Sequence, residues 1–457
     1  MLLSIHCFLF FLLFERLKLF PQLVNFAASL LIIFSPIDMT RMWMLLDPLM
    51  MICIQIYTLC FIEFIQRKSY GYLIAGLIIG YGTLLYYEIQ LGLLLVIPAI
   101  IFLYFRINEK EKLYSSLFAI SLGLVYLLFR ILGTFFGLST FHSSNPISVK
   151  FLIRQLINGL LNFIDGWSKP IIIDPVIRAV FIISLVICLI TLIFFVIKYG
   201  FANVSRSENQ KNLSILGAGI ILWLAGYFPF IAYGLAPYIH WFSSRSNNPI
   251  IPGTVILFIS ILMIIVSLIN ISEKKKEIFV FLMTIPFIAT GILAQMDIQK
   301  ETNILWKDYR LMWNGIFYDV PDIKENPHIV LVISPYKENL KYGERDFFTA
   351  ASYNVEISRA FAMFYDNTQI EAEFMYKDKE VKETPVLTKD GIKNPPTYSG
   401  LIPYRDILFI AFDRSTGETH VINDLKTELG IENDQYYPDR FIDTNHGKEF
   451  NMRKLFQ

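Results

Sequence analysis

The sequence predicts a polytopic α-helical membrane protein with a C-terminal soluble α/β domain. Three observations predict it. Hydrophobic residues make up 54% of the 457-residue chain and charged residues only 17%, whereas a soluble domain averages about a quarter charged. The deficit is uneven: residues 1–296 carry long apolar runs, and residues 297–457 have an ordinary soluble composition. Basic residues in the short connections between runs alternate in abundance, as they do when successive loops face opposite sides of a bilayer. The 40 Phe and 24 Tyr suit lipid-facing and interfacial surface.

A helix needs about 20 apolar residues to cross the hydrocarbon core. Ten runs are candidate spans: 2–14, 22–36, 43–65, 71–86, 89–105, 113–136, 177–197, 213–235, 250–270 and 278–296. The first two and the 71–105 pair are short, which places some of them in a thinned or protein-lined region. The 71–105 pair reads as a tight hairpin tipped by Tyr86, Tyr87 and Glu88. Alternate loops carry Arg16 and Lys18; Arg67 and Lys68; Arg106, Lys110 and Lys112; Lys198, Arg206 and Lys211; then Lys274, Lys275 and Lys276. The short loops of the other set carry only Arg41 and Arg245. The bias puts the first set in the cytoplasm and the C-terminal domain outside.

Within the long 137–176 loop, Leu152, Leu156, Leu160 and Ile164 recur every four residues, with Lys150, Arg154, Asn158 and Asn162 on another face. This predicts an amphipathic helix over 148–164, lying on the outer membrane surface. In the soluble domain, 302–318 and 347–365 read as helices. His328–Ile333, Ile370–Tyr376 and Ile407–Phe412 read as strands, the first a buried one bounded by Pro327 and Pro335. The Pro- and Lys-rich stretch 377–400 reads as a loop.

A net charge of +1 with no basic stripe argues against a nucleic-acid partner. Cys7, Cys53, Cys60 and Cys188 all lie in apolar runs, so neither a disulfide framework nor a CxxC metal site is expected. There is no Walker motif, GxGxxG, HExxH or GxSxG, and no cofactor is expected. The first apolar run has neither a basic stretch before it nor an A-x-A site after it, so it does not read as a cleavable signal peptide.

The candidate chemistry lies in polar residues near the outer face. Asp38 and Arg41 share the loop after the second span, Glu88 tips the hairpin, and His240, Trp241 and Arg245 follow the eighth span. Asp47 and Arg130 lie one and two turns inside their spans. Singly, each has a plain explanation as a solvated, snorkelling or capping group. Together they put carboxylates and cations on one side, where cations can hold a lipid phosphate and a carboxylate can take a proton.

Four stretches also resemble the GT-C class of integral-membrane glycosyltransferases. Phe34-Ser35-Pro36-Ile37-Asp38 ends an apolar helix as in these proteins. Gly80–Pro98, with Tyr87-Glu88 between apolar halves, resembles their paired helices with an acidic tip. Trp241–Gly253 resembles a late outer loop with an Arg just before a span. Trp306–Pro321 followed by His328–Ile333 resembles the exterior domain of many uncharacterised members. The resemblance implies a polyprenyl-phosphate-linked sugar as donor, a carboxylate that activates the acceptor, and cations that stabilise the departing phosphate. On this reading Asp38 and Glu88 are the candidate catalytic residues by location, and Arg245, His240 and Arg41 the candidate lipid-phosphate ligands. The chain departs from the family at its start. It matches only from the second span onward, without the initial outward span and the acidic first outer loop that usually supplies the catalytic carboxylate. No residue inherits that role. The alternative is a non-enzymatic membrane protein whose exterior domain binds a cell-envelope partner.

The topology has a direct test. Reporter fusions at Lys211 and after Asp297 are expected to give opposite compartments; the same compartment for both would overturn the ten-span order.

Overall fold

The computed structural model describes residues 2–37, 46–86, 91–104, 121–124, 128, 149–201, 206–232, 248–334, 352–376, 386–393 and 400–443, with some side chains inside those helices left undescribed. The chain divides into two compact units, residues 1–299 and 300–457. The first is helical. The second holds a small sheet.

Helices of the first unit follow the apolar runs: α1 (Leu2–Leu17), α2 (Gln22–Ile33), α3 (Leu46–Arg67), α4 (Tyr70–Tyr86), α5 (Leu91–Tyr104), α6 (Val149–Ile173), α7 (Pro175–Tyr199), α8 (Arg206–Ala232), α9 (Ile251–Ser267) and α10 (Glu273–Asp319). Among the described residues four segments are long and apolar enough to cross a membrane: Pro48–Arg67, Pro175–Tyr199, Asn248–Ser267 and part of Glu273–Asp319. Most of the predicted 113–136 span lies outside the described residues. The sequence suggests separate helices at 278–296 and 302–318, but α10 runs through both. The intervening Asp297-Ile298-Gln299-Lys300-Glu301 is polar yet contains no Gly or Pro, so nothing in it breaks the hydrogen-bond ladder.

Several polar groups inside the helical unit are paired across helices, which offsets the cost of burying them in an apolar setting. Gln55 on α3 pairs with His6 on α1, its Oε1 2.9 Å from Nδ1 while its Nε2 donates to the His6 carbonyl at 3.0 Å. The Tyr57 hydroxyl donates to the Leu94 carbonyl of α5 at 2.9 Å. α7 leans on α10 along one line of residues seven apart: Phe181 against Phe287, the Cys188 thiol on the Leu282 carbonyl, and Phe195 against Phe279. Much of the rest of α7 is bare, with Ile183, Ile187, Ile190 and Ile197 exposed. Asp174 caps its start by accepting from the backbone N–H groups of Val176 and Ile177, and Pro175 occupies the first turn.

The two ends of this unit differ. At one end a run of contacts joins the termini of six helices. Arg16 and Arg67 both reach Glu63, at 3.4 and 2.5 Å. Asn25 donates to Glu15, the Leu23 N–H donates to Glu277, Lys275 reaches the Tyr199 hydroxyl, and the Asn270 N–H donates to the Gly200 carbonyl. The basic loops at 16–18, 67–68, 198 and 274–276 thus gather together. At the other end Gln295 donates to the Ser35 carbonyl at 3.0 Å, and Ile37 and Tyr227 both meet α6.

In the second unit β1 (His328–Ile333) is central and buried along its whole length, as its unbroken apolar run predicts. It pairs in parallel with β2 (Glu371–Tyr376) and β6 (Ile407–Asp413), and β7 (Glu418–Val421) closes the order β2-β1-β6-β7 antiparallel to β6. α11 (Ser352–Phe364) links β1 to β2. One core joins Trp313 of α10 to Phe361 and Phe364 of α11, with ring centroids 4.9 and 4.7 Å apart. Val330, Val332, Met375 and Phe409 on the sheet pack with Ile392, Ile402 and Tyr436. The stretch expected to be a loop contains β3 (Val386–Leu387) and β4 (Gly391–Lys393), which form a second, antiparallel sheet with β5 (Leu401–Pro403). These strands are too short to show a two-residue period. A short helix α12 (Leu425–Leu429), capped by Asp424 and ended by left-handed Gly430, completes the unit.

One charged pair sits inside this core. His328 Nε2 lies 2.7 Å from Glu373 Oε1, and Nδ1 lies 3.6 Å from Glu371. Glu373 is fully buried, and its second oxygen has no hydrogen-bond partner. Burial therefore pushes its carboxyl above the ordinary range, with the His328 hydrogen bond opposing part of the rise. The folded state then holds this proton more tightly than the unfolded chain does. Glu373 favours folding below the unfolded carboxylate value of about 4.3 and loses that contribution as pH rises through the raised folded value. Melting from about pH 4 to 7 is expected to show Glu373→Gln with a shallower loss of stability than wild type. Parallel curves would contradict the buried-carboxylate account.

Candidate functional site

The predicted site residues Asp38, Arg41, Glu88, His240 and Arg245 lie outside the described residues, as do Arg130 and Trp241. Asp47 begins α3, but its side chain is not described. The helices flanking all three of their loops are described, and the stems of the Asp38 loop and of the His240–Arg245 loop meet α6.

The first stem ends at Ile37, one residue before Asp38. It lies against Gly166 of α6, where an added Cβ would come within 2.7 Å of the Ile37 side chain. The Ser35 carbonyl is held by Gln295, and Gly291 lets α10 approach the Phe34 carbonyl. The second loop runs between α8 and α9. Near the end of α8, Tyr227 is buried over Gly159 of α6 and donates to the Gly159 carbonyl at 3.1 Å. Tyr227 also packs with Ile250, which leads into α9, and with Trp223 at 5.4 Å. Seven residues separate Gly159 from Gly166. At 1.5 Å per residue the two stems therefore meet one helix about 10 Å apart.

α6 is the amphipathic helix expected at 148–164, extended to Ile173. Its outward row is Ile153, Ile157, Leu161 and Ile164, each about half exposed. Leu152, Leu156 and Leu160 belong to side chains left undescribed. Arg178 of α7 donates to the Ile171 carbonyl at 3.0 Å and to that of Ile172, satisfying groups that a helix end leaves open.

Apolar clefts enter the helical unit among the described residues, and two stand out. One, with ≈ 820 Å³ of empty space, is lined by Leu31 of α2, Ile164, Trp167 and Ser168 of α6, and Phe258 and Phe287 of α9 and α10. It begins one residue along α6 from the Gly166 contact with Ile37. The other, with ≈ 700 Å³, lies among α1, α3, α5, α8 and α9, between Phe10, Phe14, Met51, Ile97, Leu222 and Ile256. Gln55 and Thr58 border it, but their polar atoms are taken up by His6 and by the Ile54 carbonyl. Both clefts suit hydrocarbon. The first adjoins the Ile37 stem; the second reaches Pro252, two residues past Ile250 at the stem of the other loop.

Sequence reading missed Gly159, Gly166, Tyr227 and Gln295. The glycine pair left a signal, two small residues seven apart in an otherwise bulky helix. Tyr227 and Gln295 left none, because their partners are distant in the chain. Comparison with models of protein families, with curated proteins and with solved structures finds no match to this chain.

The convergence is testable by cross-linking. A Cβ on Gly166 would lie 3.3 Å from that of Ile37, close to the span a disulfide bridges. An Ile37→Cys/Gly166→Cys variant is expected to form an intramolecular disulfide under mild oxidation, detectable as a linked peptide by mass spectrometry. Its absence would separate the first stem from α6.

Proposed function

We propose that this chain is a multi-pass, ten-span membrane protein that acts as a GT-C-like glycosyltransferase on a polyprenyl-phosphate-linked sugar at the outer face. The basic end of the helical unit faces the cytoplasm and residues 297–457 lie outside. One observation carries the reading. The stems of the loops bearing Asp38 and Arg41, and His240 and Arg245, meet the same helix about 10 Å apart, beside an apolar cleft. A lipid-linked sugar needs that combination: hydrocarbon surface for the prenyl chain and polar groups at its mouth for the phosphate.

In this reading Arg245, helped by His240 and Arg41, grips the donor phosphate, and Asp38 or Glu88 takes the proton from the acceptor hydroxyl as it attacks the sugar. Cations at the phosphate offset the charge that builds on the leaving group. The gathering of basic loops at the opposite end supports the sidedness.

Arg245 gives the sharpest test. A guanidinium offers two parallel hydrogen bonds to phosphate, which an ammonium does not reproduce. Such charge-assisted bonds contribute on the order of 1.5–3 kcal/mol each. Polyprenyl-phosphate binding to the purified protein is expected to weaken with Arg245→Lys. With Arg245→Ala it should weaken further, by roughly tenfold or more at 1.4 kcal/mol per decade. Equal affinity for wild type and Arg245→Lys, or no binding by either, would end the donor-site reading and move attention to the exterior domain.

A further inference from the structure

The end of the helical unit where the basic loops gather contains a feature unrelated to the donor reading. Lys275 of α10 places its Nζ 3.1 Å from the Tyr199 hydroxyl and 4.8 Å from the centre of its ring. Lys198 of α7 lies 5.5 Å from the same ring and 5.4 Å from that of Phe194. Two ammonium groups thus share one tyrosine, and Lys274 is next in the chain. Three other cations at this end have carboxylates beside them: Arg16 and Arg67 both reach Glu63, and Lys276 pairs with Glu273 at 2.8 Å. Among the described residues no carboxylate pairs with Lys198, Lys274 or Lys275. Like charges held this close favour an anion near them.

The surface beside the lysines is hydrocarbon-like. α7 exposes Ile190, Ile193, Phe194 and Ile197 in its last three turns, and Phe201 is 78% exposed just past its end. Gly200, with φ +70, ends the helix immediately after Tyr199, so the cations and the bare apolar face meet within one turn. A small soluble anion has no use for the apolar face, and a neutral lipid has none for the lysines. An anionic phospholipid uses both, in the arrangement by which basic pockets at helix ends select acidic headgroups.

We propose that this corner is a binding site for an anionic phospholipid. Lys198, Lys275 and the Tyr199 hydroxyl hold its phosphate, and its acyl chains lie along the exposed face of α7. Full-length protein in detergent is titrated with phosphatidylglycerol and with phosphatidylcholine of the same chains, and bound lipid is counted by native mass spectrometry. Wild type is expected to prefer phosphatidylglycerol. Lys198→Gln/Lys275→Gln should lose about thirtyfold of that preference, or about 2 kcal/mol at 1.4 kcal/mol per decade. Lys198→Arg/Lys275→Arg should keep it. Should the double glutamine variant fail to fold, Lys275→Gln alone is expected to lose about fivefold. Glycerol phosphate at the same concentration should not displace the lipid. Equal binding of the two lipids by wild type would overturn the site, as would an unchanged preference in the glutamine variants. Displacement by glycerol phosphate mole for mole would show that the face of α7 contributes nothing, and would overturn the lipid as occupant.

Discussion

Apolar side chains gain little by leaving lipid for one another, so helices that share a membrane associate through close backbone contact and through polar groups that find partners. The helical unit here is organised by such contacts. A Cβ at Gly92 would lie 1.9 Å from the Ala225 carbonyl oxygen, one at Gly253 2.4 Å from the Trp223 nitrogen, and one at Gly291 2.1 Å from the Phe34 oxygen. Each glycine brings two backbones closer than any other residue allows. The pairings of α5 with α8, α8 with α9, and α10 with the end of α2 depend on them.

The same device acts at α6, where it touches the proposed function. Gly159 and Gly166 let Tyr227 and Ile37 settle against one helix face, and so set the spacing between the stems of two polar loops far apart in sequence. A bulkier residue at either position would push a stem outward. The apolar cleft beside Trp167 lies next to Gly166 along the same helix. α7 shows the opposite case. It touches α10 along a line of residues and leaves much of its surface bare, which on the proposed reading is lipid-facing.

The second unit is built on a different constraint. Its central strand is buried on both faces, so every residue of His328–Ile333 must be accommodated within the core. Helices fill one side, with Trp313 wedged between Phe361 and Phe364. A fully buried carboxyl, that of Glu373, is tolerated because His328 lies beside it, and its unpartnered second oxygen makes the site sensitive to protonation.

Much of this was legible in the sequence. Apolar runs located the helices, because hydrocarbon length and backbone hydrogen bonding leave few alternatives. The run Ile329–Ile333 announced a buried strand, and the four-residue repeat after Ser148 announced α6. Short elements were not legible: β3 to β5 contain too few residues to show a period. The continuity of α10 was hidden because polarity changes at Asp297 while helix propensity does not. The sequence by itself determined the long helical and extended segments, and that the short basic loops alternate with loops nearly free of Lys and Arg. Only the tertiary structure decided which segments meet. The pairings of Ile37 with Gly166, of Tyr227 with Gly159, and of Lys275 with Tyr199 join residues 129, 68 and 76 positions apart. Local propensity carries no information across such distances; shape and hydrogen bonding between packed helices select the partners.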